Sequence, residues 1–233
     1  MKRLAAIATY NEAENIEPLI RSILALDLAL DVVVIDDNSP DGTGEIADRL
    51  SRETGRVRVI HRPGKLGLGT ATLAAVDYSI RNGYATLVTM DADFSHDPKY
   101  LPAIVEKTSD FDVVIGSRYV AGGGVVNWPL TRRMMSRLVN LYCRAIFRLG
   151  VHDYSGAYRA YGAEVLRRLD PAAFVSRGYS FQEEMLVRCA RLGARIAEVP
   201  IVFVDRAQGA TKANLREMVR SGMTLLGLAF RRI

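Results

Sequence analysis

Asp91 and Asp93 stand one residue apart in LVTMDADFSHDP, directly after an apolar run that reads as a buried strand. If both side chains converge, their like charges raise each other's pKa unless a cation neutralises them. Hard oxygen ligands of this kind suit Mg2+ or Mn2+. Such ions bind through one or two carboxylates and complete their shell with substrate phosphates. The pair therefore predicts a divalent metal and a diphosphate ligand. An Asp-X-Asp string is common by chance, and its place at a strand end is what makes it informative.

Basic residues that could meet phosphates are Arg118 after another apolar run, Arg132 and Arg133 at a helix start, and Arg206 with Lys212 in DRAQGATK. Arginine forks match phosphate oxygens bidentately. Arg132 and Arg133 read equally as solvated surface charge. The segment RPGKLGLGTA, residues 62–71, has the glycines of a phosphate-cradling loop without the spacing of a P-loop. Its glycines could equally serve only to turn the chain into a helix.

Positioning these groups falls to an alternating series. Continuous apolar runs at Arg3–Thr9, Asp31–Asp36, Val57–His61, Ala85–Met90 and Asp112–Ser117 read as strands buried on both faces. Helical patterns at about Glu14–Leu26, Thr43–Thr54, Gly67–Asn82 and Pro98–Lys107 separate them. This is a βαβα series, hence an α/β fold with a parallel sheet and right-handed crossovers. Ligands of such sheets collect beyond the carboxyl ends of the strands. There the sequence puts TYNE (Thr9–Glu12), DDNSPDGT (Asp36–Thr43), DADFSH (Asp91–His96) and SRY (Ser117–Tyr119). Asn11 and Asp41 could equally be turn and helix-cap residues.

The second half predicts helices at about Leu130–Leu149, Gly162–Leu169 and Phe181–Leu192, a strand near Arg195–Val204 and a last helix from about Thr211. Between Val120 and Pro129 the sequence VAGGGVVNWP reads as a mobile loop, either a lid or a plain connector, because consecutive glycines carry no side chain to pin it.

A chain of 233 residues, 49% hydrophobic with mean hydropathy +0.06, suits a single α/β domain over 1–233. Its net charge of +5 points to an anionic partner: nucleic acid, a phosphate-bearing ligand or an acidic membrane surface. Cys143 and Cys189 fall in helical apolar patterns, which argues against a disulfide framework or zinc site and fits a reduced, cytoplasmic setting. The apolar run Leu4–Ala8 is too short for a signal peptide, and Gly222–Phe230 falls well below the roughly 20 residues of a membrane span.

Two helices carry basic amphipathic patterns. Met134, Leu138, Leu141, Tyr142 and Leu149 form one apolar stripe, with Arg133, Arg137, Arg144 and Arg148 on another face. Near the C-terminus Lys212, Arg216 and Arg220 recur every four residues beside Leu215, Met218, Val219, Met223 and Leu226. Such helices can lie on an anionic leaflet, or the stripes can face the core or a partner membrane protein.

Taken together and in order, TYNEAENI, VIDDNSPDGT, RPGKLGLGTA, MDADFSHDP, GSRYVAGG, WPLTRRMMSRLVN, DYSGAYRAY and DRAQGATK resemble glycosyltransferase family 2, and within it the dolichyl or polyprenyl phosphate mannosyltransferases. The resemblance implies a GT-A type α/β fold with a mostly parallel central sheet and C-terminal amphipathic helices. Residues 1–120 would be the nucleotide-sugar half and 121–233 the acceptor and membrane-facing half. Carried over by position, it gives Ala8, Tyr10, Glu12, Asp37 and Ala92 to the donor. Asp91 and Asp93 go to the metal and diphosphate, with Ser95 as a third metal oxygen. Arg118 and Lys212 fall on donor phosphates, and Arg132, Ser136, Arg206 and Lys212 around the acceptor phosphate. Asp91, Asp93, Arg118 and Arg206 would be catalytic. Two positions depart from the family pattern: Ala8 replaces a common proline, and Ala157 replaces a glycine.

The implied reaction transfers mannose from GDP-mannose to dolichyl or polyprenyl phosphate with inversion, assisted by Mg2+ or Mn2+. A phosphate monoester is largely ionised at neutral pH, so it attacks without a dedicated general base. The implied setting is the cytoplasmic face of a membrane, bound peripherally or through a partner membrane protein, with no nucleic acid partner. Transfer of glucose from UDP-glucose to the same lipid, or a non-catalytic nucleotide-sugar-binding subunit of a membrane complex, are the alternatives.

Overall fold

The computed structural model describes residues 1–176, 178, 180–205 and 215–230, the side chains of 215–219 apart. Arg206 and Lys212 lie outside the described residues, as do the side chains of Leu215, Arg216, Met218 and Val219. Strands β1 (Arg3–Thr9), β2 (Leu30–Asp36), β3 (Val57–His61), β4 (Thr86–Asp91) and β5 (Val113–Ser117) form where the apolar runs predict them. Helices α1 (Ala13–Leu24), α2 (Thr43–Thr54), α3 (Leu68–Arg81) and α4 (Leu101–Lys107) cross over between them. Val32 to Val34 and Val113 to Ile115 are fully buried, which is why these strands are apolar on both faces.

The second half adds β6 (Gly124–Val126), α5 (Leu130–Phe147), β7 (Arg159–Gly162), α6 (Ala163–Arg167), α7 (Phe181–Arg191), β8 (Ile196–Pro200), β9 (Val202–Val204) and α8 (Leu215–Phe230). The seven-stranded sheet runs β3-β2-β1-β4-β7-β5-β8, parallel except for β7. Strand order reverses between β1 and β4, which flank each other with Ala8 opposite Asp91. In an open α/β sheet such a reversal opens a crevice at the carboxyl edge. The predicted strand at Arg195–Val204 is two strands, broken at Ile201. β9 leaves the main sheet to pair with β6.

That pairing corrects the expectation of a mobile loop over 120–129. Gly124, Val125 and Val126 run parallel to Val202, Phe203 and Val204. A Cβ on Gly123 would stand 2.6 Å from the Ser117 carbonyl oxygen, so this glycine permits close backbone packing rather than freedom. Within RPGKLGLGTA, Gly67 turns the chain into α3 at φ +95°, and Gly69 serves packing. A Cβ on Gly69 would meet the Phe181 ring at 2.6 Å, and its absence lets α3 pack directly on α7. Asp41 takes the capping role: its carboxylate accepts from Thr43 N–H and Ala13 N–H, both at 3.0 Å, and so joins the starts of α1 and α2.

Candidate active site

Asp91 ends β4 with its side chain 38% exposed, although Met90 before it is buried. The Asp91 N–H donates to His96 Nδ1 at 2.9 Å. A backbone N–H can only donate, so that ring nitrogen holds a lone pair and His96 is neutral. Burial also holds the His96 pKa below its ordinary value, against the opposing pull of Asp91 and Asp93. Stacking on Tyr158 at 4.9 Å and an edge contact with Phe203 at 5.4 Å fix the ring. Between the two aspartates Ala92 is buried. Phe94 then adopts φ +59°, a left-handed conformation that turns the chain back. Ser95 in consequence donates to Asp93 Oδ1 twice, from its N–H at 3.1 Å and its hydroxyl at 2.5 Å.

Among the described residues no three His, Cys, Asp or Glu side chains cluster as a metal cage. The donors at the end of β4 are therefore the carboxylates of Asp91 and Asp93, with the buried Ser95 hydroxyl turned onto Asp93. Two hard carboxylate groups without a closed cage match the requirement of Mg2+ or Mn2+ sharing a diphosphate. A cleft beside them is walled by Ala8 of β1, Ile35 of β2, Leu68 and Thr72 of α3, Asp91 and Gln182. It lies at the β1/β4 reversal.

On the other flank, Tyr10 is partly exposed with Lys65 Nζ 4.4 Å from its ring centre. The Glu12 N–H donates to Thr43 Oγ1 at 2.9 Å, and Glu12 Oε2 accepts from Asn15 at 2.9 Å. Asp37 is buried and ion-paired with Arg62, 2.7 Å from Oδ1 to Nε. Burial raises the Asp37 pKa, and the Arg62 charge works against that rise. Arg62 Nη2 is buried with no hydrogen-bond partner among the described residues. The sequence reading gave Arg62 no role, although the motif that contains it was visible.

Arg118, at the end of β5, behaves differently from the expectation. Its fork is taken by Asp153: Nε donates to Oδ2 and Nη2 to Oδ1, both at 2.7 Å, and Nη2 also reaches Ser155 Oγ at 2.8 Å. Both partners are buried. Only Nη1 stands outside these bonds, so Arg118 can offer a substrate its charge and one nitrogen, not the bidentate fork. Burial opposes ionisation of Asp153, yet the Arg118 guanidinium holds the carboxyl below the usual carboxylate range. Asp153 was missed because its motif, DYSGAYR, shows nothing of its partner 35 residues away.

Arg132 lies near the same place. Its Nη1 donates to Asp205 Oδ2 at 2.5 Å, and its guanidinium sits 4.3 Å from the Trp128 ring centre. Ser136, one turn further along α5, accepts from the Tyr119 hydroxyl at 2.7 Å. Asn140 donates to the Ser136 carbonyl at 2.8 Å and to Ser155 Oγ at 3.3 Å, which ties α5 to the Arg118 pair. The structure thus brings Arg118, Arg132 and Ser136 into one network. Arg206 and Lys212 follow Asp205 in sequence but lie outside the described residues.

Along α5, Leu130, Met134, Leu138 and Leu141 are exposed, whereas Tyr142 and Leu149 are half-buried. The first part of the predicted stripe faces outward and is not core. Tyr142 donates to the Gly222 carbonyl at 2.8 Å and so joins α5 to α8. On α8, Met223, Leu226 and Phe230 are exposed too. No helix among the described residues is long and apolar enough to cross a membrane.

A mostly parallel sheet reversing between β1 and β4, with paired carboxylates at the end of β4 beside a cleft, is the architecture of a GT-A-like glycosyltransferase. The glycosyl transferase family 2 profile matches residues 5–170, and the chain belongs to that family. An undecaprenyl-phosphate mannosyltransferase of Micrococcus luteus is 46% identical over 91% of this chain and 87% of its own length. A polyprenol monophosphomannose synthase of Mycolicibacterium smegmatis is 42% identical over 93% of this chain and 83% of its own. Among solved structures, glucosyl-3-phosphoglycerate synthase of Mycobacterium tuberculosis, in complex with Mn2+, uridine diphosphate and phosphoglyceric acid, superposes with TM-score 0.70. That match covers 100% of this chain and 80% of that one at 21% identity, a likeness of fold.

Proposed function

We propose that the protein transfers mannose from GDP-mannose to polyprenyl or dolichyl phosphate, inverting the anomeric centre to give polyprenyl phosphate mannose. The observation that carries this reading is the continuity along α5. Arg132 lies in its first turn against Trp128, which stands just before it, and the same helix exposes Leu130, Met134, Leu138 and Leu141. A basic site joined to an apolar surface calls for an acceptor with an anionic head and a hydrocarbon tail. The two relatives named as polyprenol or undecaprenyl phosphate mannose enzymes support the same reading.

The donor lies across the β1/β4 cleft, its nucleoside toward Tyr10, Glu12 and the Asp37–Arg62 pair. Asp91 and Asp93 would hold the Mg2+ or Mn2+, which when bound would supply positive charge to the diphosphate. Ser95 restrains Asp93, and the Asp91–His96 contact restrains the loop. Arg118 adds fixed positive charge where the leaving diphosphate gains negative charge. An acceptor phosphate oxygen attacks the anomeric carbon directly, so an α-linked donor gives a β-linked product. The protein binds its membrane peripherally, at the cytoplasmic face, through α5 and α8.

Purified protein incubated with a prenyl phosphate and a panel of radiolabelled nucleotide sugars, with and without EDTA, tests this. Label should enter the lipid fraction from GDP-mannose only, and EDTA should abolish it. Incorporation from UDP-glucose instead would overturn the donor assignment, and incorporation unaffected by EDTA the metal assignment.

A further inference from the structure

Trp128 is the only tryptophan of the chain. It is 8% exposed, and its Nε1–H is buried with no acceptor among the described residues. Leaving a donor buried and unpaired costs on the order of 1–3 kcal/mol, so such a group inside a binding site points to an acceptor that arrives with the ligand. The chemistry around it specifies the charge of that ligand. Arg132 sits 4.3 Å from the ring centre and Arg118 5.4 Å. Each arginine already has one carboxylate partner, Asp205 and Asp153 respectively.

Helix α5 begins two residues later with Pro129 at its N-cap. Among the described residues no side chain caps it, and no acidic residue lies in its first turn. The first backbone bond across that turn is from Arg133 N–H to the Pro129 carbonyl, at 3.0 Å. The N–H groups of Leu130, Thr131 and Arg132 precede it and have no acceptor among the described residues, which leaves the positive end of an 18-residue helix uncapped by them. An orphan indole N–H, a guanidinium and an uncapped helix terminus are all donors. They suit an anion with several acceptor oxygens.

We propose that Trp128 is an acceptor-binding residue: its Nε1–H donates to the phosphate monoester of the prenyl phosphate, with Arg132 and the first turn of α5 completing the site. The hydrocarbon then leaves along the exposed Leu130, Met134, Leu138 and Leu141. This rests on the lipid phosphate reading of the acceptor.

As the only tryptophan, Trp128 is its own probe. Indole emission of the wild-type protein is followed during titration with farnesyl phosphate, farnesol and inorganic phosphate. A saturable change with farnesyl phosphate, reproduced weakly by inorganic phosphate and not by farnesol, is expected. The Trp128→Phe variant keeps the ring and loses the N–H, and its KM for prenyl phosphate should rise about tenfold with KM for the nucleotide sugar unchanged. Turnover of prenyl phosphate with equal acceptor KM in wild type and Trp128→Phe would overturn the contact and leave the reaction standing. An equal emission response to farnesyl phosphate and farnesol would overturn it as well, and does not depend on the variant folding. If wild type transfers to no prenyl phosphate, the acceptor reading itself falls and this inference with it.

Discussion

Asp153 grips Arg118 with both carboxylate oxygens at 2.7 Å, and both side chains are buried. Removing one partner of such a pair leaves an uncompensated charge, which costs about 3–5 kcal/mol. Asp153→Asn should therefore lower the urea midpoint substantially and reduce transfer. The double variant Asp153→Leu with Arg118→Met should regain most of that stability without regaining activity. Denaturation curves alongside transfer assays separate the two effects. Full activity in the double variant would remove Arg118 from the reaction.

Asp91→Asn and Asp93→Asn each delete a carboxylate charge at a strand end without opening a core cavity. Transfer should fall at least a hundredfold, about 2.7 kcal/mol of lost transition-state stabilisation, with little change in melting temperature. Calorimetric titration with Mn2+ should show the weakened binding directly. Ser95→Ala removes only one bond that restrains Asp93, so its effect should be smaller than either.

Burial within α7 pushes the Glu183 carboxyl up to about 7, and the nearby Arg159 only partly offsets it. The folded state thus keeps a proton that the unfolded chain releases near its ordinary value of 4.5. Stability from this group is complete below pH 4.5 and declines as pH rises toward about 7, by at most about 3 kcal/mol. Glu183→Gln should flatten the dependence of the urea midpoint on pH across that window. An unchanged slope would show that Glu183 is ionised in the folded state.

Arg137, Arg144 and Arg148 are exposed on the helix that also exposes Leu138 and Leu141. Each basic residue near an anionic surface adds on the order of 1 kcal/mol. The protein should sediment with anionic vesicles at low salt and be released as the Debye length falls toward about 3 Å at 1 M. Reversing the three charges should mimic that release. Indifference to vesicles at every salt concentration would assign the exposed stripe to a protein partner.

Most of the sheet was legible because strands buried on both faces are written as unbroken apolar runs, and β1 to β5 fall where those runs lie. β7 was not: Arg159–Gly162 is four residues with a charged first member, and its pairing depends on strands more than 40 residues upstream. The Asp91 and Asp93 placement was legible because it needs only a strand and its end. The fate of Arg118 was not, since whether a guanidinium faces substrate or a buried carboxylate is decided by tertiary contact. Glycine spacing misled at Gly123 for the same reason: a missing side chain records either freedom or a close neighbour, and only the neighbour, Ser117, tells which.

The sheet order also fixes when its parts can assemble. β1 to β4 pair among themselves in the order β3-β2-β1-β4, so the first 91 residues contain every partner these strands need apart from β7. β5 does not share that property. Among the described residues its neighbours are β7 and β8, made more than 40 and more than 75 residues later. On a growing chain β5 emerges as Val-Val-Ile with both edges unpaired, and it stays so until Arg159–Gly162 arrives to bridge it to β4. Joining β5 to β4 and placing Asp153 against Arg118 therefore both wait on the one stretch 153–162. A ribosome stalled between β5 and β7 carries a sticky strand and no finished site.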